Sequence, residues 1–120
     1  DRLHLRMRRI RAVLDRLPEV LDVEVPFLNG TANVSHGGAM FAVATGAPII
    51  VAMMRRENGL HKVEYFGTLR PDPNAPDRKA EARRLTREAL RLLNDGITRT
   101  PGQWFWYNKR WILQPVKKTK

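Results

Sequence analysis

The sequence predicts an α/β sandwich: a mixed sheet with a central hairpin, packed by helices. Three observations carry this. Segments with apolar residues at helical spacing alternate with segments at strand spacing, Asn58-Gly59 divides two strand-like runs, and no internal repeat or second-domain boundary interrupts the 120 residues. The expected order is helix, strand, helix, strand, strand, helix and an aromatic tail.

Leu3, Met7, Ile10, Leu14 and Leu17 recur at steps of four and three, which places them on one helical face, with Arg2, Arg6, Arg9 and Arg16 off that stripe. Pro18 should stop this helix. From Leu21 the period becomes two: Leu21, Val23, Val25 and Phe27 face one way, Asp22 and Glu24 the other. Pro26 cannot donate to a ladder, so this strand belongs at an edge or ends there. Residues 29–38 are dense in Gly, Asn, Ser and Thr and are expected to form a loop, followed by a short helix over Ala39 to Ala44 that Gly46 stops.

The continuous apolar run Ile49 to Met54 suits a central strand covered on both faces. Asn58-Gly59 tolerates positive φ at both residues and so predicts a tight hairpin. The returning strand runs from about Leu60 to Leu69, with Val63, Tyr65, Gly67 and Leu69 on one face and Lys62, Glu64 and Thr68 largely on the other. After the stiff connector Pro71 to Pro76, the apolar stripe Ala82, Leu85, Ala89, Leu92 and Leu93 predicts a long helix. Its end, at Asn94-Asp95-Gly96 or as late as Thr100, is left open.

Composition bounds the chemistry. There is no cysteine, hence no disulfide or thiolate metal site, and His4, His36 and His61 are too far apart for a local chelating pair. Lys and Arg outnumber Asp and Glu by 22 to 12, a net charge of +10 that favours polyanionic surfaces, whether anionic lipid or nucleic acid. No apolar run approaches the roughly 20 residues that span a bilayer. The start at Asp1, without an initiator Met or leader pattern, suggests a portion of a longer chain.

All three tryptophans fall between Trp104 and Trp111, within Gln103-Trp104-Phe105-Trp106-Tyr107-Asn108-Lys109-Arg110-Trp111. As core, these rings would seal an edge of the sheet and each indole N–H would need a partner. As a membrane-interface belt, the indoles would sit at headgroup depth while Lys109 and Arg110 met phosphates. Base stacking is the weakest alternative, because the segment lacks a ribonucleoprotein-type motif.

The segment Pro101 to Trp111 resembles the C-terminal signature Pro-x-Gln-Trp-x-Trp-x-His-x-Arg-Trp-Lys of the bacterial lipid A biosynthesis (lauroyl/myristoyl) acyltransferases, matching at Pro101, Gln103, Trp104, Trp106, Arg110 and Trp111. Upstream, Val25-Pro26-Phe27-Leu28, Ala32, Gly37 and Thr45-Gly46-Ala47-Pro48 resemble two further stretches of that family in the same order. Asn29, Thr31, Ala44, Asn108 and Ile112 depart from its pattern and suggest a divergent branch.

The resemblance implies a glycerolipid-acyltransferase-like partial domain, with residues 1–120 as the C-terminal portion and the catalytic N-terminal portion elsewhere. It implies an O-acyltransferase that moves a fatty acyl chain from acyl carrier protein or acyl-CoA to a lipid or glycolipid hydroxyl at the cytoplasmic face of the bacterial inner membrane. No cofactor or metal is implied, and no nucleic acid is expected as partner.

The family's general base is a His separated by four residues from an acidic partner. The corresponding positions after His4, His36 and His61 are Arg9, Phe41 and Phe66, so no catalytic residue is assigned. His36 itself is expected to be exposed or to cap the loop. By the same resemblance, Asn29, Gly30, Thr31, Ser35, His36 and Gly37 form the acceptor-phosphate site, against a plain strand-to-helix turn. Gln103, Trp104, Trp106, Arg110 and Trp111 form the membrane or structural signature. The alternative from another class is a non-catalytic basic module that binds anionic lipid or RNA.

Overall fold

The computed structural model describes Arg8, residues 22–28 and residues 30–104. The amphipathic segment Leu3 to Leu17 lies outside the described residues except for Arg8, which is helical and exposed. Strands β1 (Asp22–Phe27) and β2 (Gly30–Ser35) are followed by α1 (Gly37–Thr45), β3 (Ile49–Glu57), β4 (Leu60–Leu69) and α2 (Arg78–Arg99). A 3-10 turn, Pro101–Gln103, comes last.

Among the described residues the sheet is not mixed. Two separate antiparallel pairs form, β1 with β2 and β3 with β4. Each pair is closed by a tight turn, and a tight turn can join only antiparallel strands. The expected alternation holds in β1, where Val25 and Phe27 are buried while Glu24 and Pro26 are exposed. Residues 30–35 are a strand rather than the predicted loop. Their turn-forming composition is overridden by pairing with β1, from Phe27 opposite Gly30 to Asp22 opposite Ser35, which places Ala32 in the core.

The β3–β4 turn has Asn58 at φ 51° and Gly59 at φ 78°, as the dipeptide predicts. Two expectations for this hairpin fail. The pairing jumps from Val51 opposite Gly67 to Ala52 opposite Tyr65, leaving Phe66 as an extra residue. This bulge shifts the side-chain phase, so Gly67 faces α2, where an added Cβ would fall 3.1 Å from Leu92, while Tyr65 points away and is 62% exposed. Nor is β3 covered on both faces: Ile50 and Met54 are 67% and 63% exposed.

Helix α1 ends as predicted, with Gly46 at φ 74° and its N–H donating to Ala42 O. Helix α2 opens on Asp77, whose side chain accepts from the N–H groups of Lys79 and Ala80, and it runs through Gly96 to Arg99. Asn94 does not end it. Its Oδ1 accepts the Leu28 N–H at 2.7 Å, which ties the β1–β2 turn to the helix.

Helix α2 supplies both halves of the core. Ala82 and Leu85 pack with Ala39 and Ala42 of α1, and Ile97 packs with Phe27 and Ala32 of the first hairpin. No helix among the described residues is long and apolar enough to cross a membrane.

Candidate functional site

The predicted acceptor site is divided by β2. Gly30 and Thr31 are exposed at the start of that strand, whereas Ser35, His36 and Gly37 gather at its other end, where α1 begins. At about 3.3 Å per residue, Thr31 and Ser35 are roughly 13 Å apart, too far to hold one phosphate together. Asn29 lies outside the described residues. The structure therefore brings together only the Ser35–Gly37 half of the expected set and adds Gly38.

At this junction Ser35 Oγ accepts the Gly37 N–H at 3.3 Å. His36 is the N-cap residue of α1, its carbonyl accepting from Met40 N–H at 2.8 Å. Its side chain makes no capping bond. Against the expectation of an exposed or capping histidine, His36 is only 6% exposed, and Nδ1 has no hydrogen-bond partner among the described residues. A helix leaves its first-turn N–H groups without intrahelical acceptors, and α1 carries no acidic residue there to complement its positive end. Gly38 is exposed and has no side chain to cover the first turn of the helix.

Beside this end of α1 opens a cleft of about 260 Å³. Ser35, Gly38 and Ala39 form one wall, Val34 and Ile49 continue it, and Leu85, Thr86, Ala89 and Leu90 of α2 face them. Thr86 is turned inward on its own helix, its hydroxyl donating to Ala82 O at 2.7 Å, which leaves the lining largely apolar. An apolar cleft with N–H donors at its mouth suits an amphiphile with an anionic head. The α2 residues of this wall were not among those expected from the sequence. The hint was there in Thr86 and Ala89, small residues between leucines that leave a recess on the helix.

The C-terminal signature enters the described structure only at its start. Gln103 spans one backbone unit of β3: its Oε1 accepts Arg56 N–H at 2.7 Å and its Nε2 donates to Arg56 O at 3.1 Å. Trp104 is half-buried against Phe27, with ring centroids 6.4 Å apart, so for this tryptophan the packing role holds. Trp106, Arg110 and Trp111 lie outside the described residues.

No group of three or more His, Asp or Glu side chains among the described residues is arranged to hold a metal ion. The most strongly perturbed carboxyl among the described residues lies away from the cleft. Glu81 accepts two bonds from the Arg84 guanidinium, at 2.6 and 2.9 Å, and one from Asp72 N–H, which lower its pKa from 4.5 to about 2. It braces the connector before α2 and is not a candidate acid or base.

No curated protein and no solved structure matches the chain. The family described as bacterial lipid A biosynthesis acyltransferase matches residues 15–112, which takes in both hairpins, both helices, the cleft and the aromatic signature. With more than half its length matched in this way, the chain belongs to the bacterial lipid A biosynthesis acyltransferase family.

Proposed function

We propose that the chain is the acceptor-binding portion of an O-acyltransferase with a glycerolipid-acyltransferase-like domain. The enzyme transfers a fatty acyl chain from acyl carrier protein or acyl-CoA to a hydroxyl of a lipid or glycolipid at the cytoplasmic face of the inner membrane. Family membership supports acyl transfer in general. The observation that carries this chain's own part is the uncompensated N-terminus of α1 beside the apolar cleft.

In this assignment the Gly38 N–H and its first-turn neighbours hold a phosphate of the acceptor, Ser35 fixes the turn, and the cleft takes the adjoining apolar part. His36 lacks an acidic partner at the family's spacing, since Phe41 stands there, and it is not assigned as the base. The general base belongs to sequence outside these 120 residues.

Gly38→Asp tests the phosphate site. A Cβ at Gly38 meets nothing within 4 Å, and a carboxylate in the first turn of a helix is stabilising, so the fold should hold while the charge opposes an anion. A short-chain monoacylglycerol phosphate should bind the parent chain about tenfold tighter than the uncharged monoacylglycerol, the worth of one charge-assisted hydrogen bond. Gly38→Asp should abolish that preference. Equal affinity for the two ligands, or a preference untouched by the substitution, defeats the assignment.

A further inference from the structure

We draw no further inference here: the strongest candidate, the row of exposed cations Lys79, Arg83 and Arg87 along the solvent side of α2, carries nothing because nothing in the structure shows what covers it.

Discussion

Glu81 is the residue whose surroundings depart most from what its place in the sequence suggests. One helical turn into α2, it would be expected on a solvated face, yet it is 6% exposed and accepts from both Arg84 and the Asp72 backbone. The Arg84 hydrogen bonds, more than any other influence, hold its carboxyl at about 2, below the ordinary 4.5. A depressed carboxyl contributes stability that is complete above about pH 4.5 and is lost as pH falls through about 2. Arg84 is half exposed, so solvent screening keeps the contribution modest. Thermal melts between pH 6 and pH 2 should show a fall in Tm that Glu81→Gln reduces. If the substitution leaves the acid slope unchanged, other carboxyls govern it. Periodicity marked position 81 only as not belonging to the apolar stripe. The bond to Asp72 forms across nine residues and a proline-rich connector, and no local pattern encodes it.

Among the elements, those whose signals are local were legible: the Asn58-Gly59 turn, the Gly46 stop and the stripe of α2. Strand β2 was not, because its strand character comes from pairing with β1 and from the placement of Ala32, while Gly30, Thr31 and Asn33 in isolation favour a turn. The same applies to the candidate site. Its Ser35–Gly37 half, expected as the end of a loop before a helix over Ala39 to Ala44, adjoins the start of α1, but Gly30 and Thr31 are separated from it because residues 30–35 are extended. The continuation of α2 through Gly96 has a packing cause of the same non-local kind. A Cβ at Gly96 would fall on the ring of Phe66, 2.9 Å from one Cε, and Phe66 is the residue that the β4 bulge turns toward the helix. Helix propensity alone favours Gly96→Ala by about 1 kcal/mol. The clash should prevail, with a net loss of about 1–2 kcal/mol from overpacking. Chemical denaturation of Gly96→Ala, alone and with Phe66→Leu, decides between the two effects. The clash account requires the single variant to be less stable than the parent and requires Phe66→Leu to restore the helix-propensity gain.

At the scale of the whole molecule, α2 joins two core clusters that otherwise belong to different hairpins. Leu85, fully buried, packs with α1 and the start of β3, while Ile97, roughly 18 Å further along the helix at about 1.5 Å per residue, packs among Phe27, Ala32 and Trp104. Neither hairpin shares a ladder with the other, and a two-stranded sheet is marginal by itself. The helix is therefore the element through which the two clusters fold together. Truncating Leu85 to Ala should cost about 2–5 kcal/mol, the usual range for a buried leucine, out of a domain stability of roughly 5–15 kcal/mol. Trp104 lies in the other cluster, so with Trp106 and Trp111 replaced by Phe the remaining indole fluorescence reports from the cluster far from the substitution. If α2 couples the clusters, Leu85→Ala should lower the fluorescence midpoint by as much as the midpoint seen by far-ultraviolet circular dichroism. A fluorescence transition that stays where it was while the dichroism transition falls would mean that the first hairpin and Trp104 unfold as a unit of their own, with α2 broken between Leu85 and Ile97.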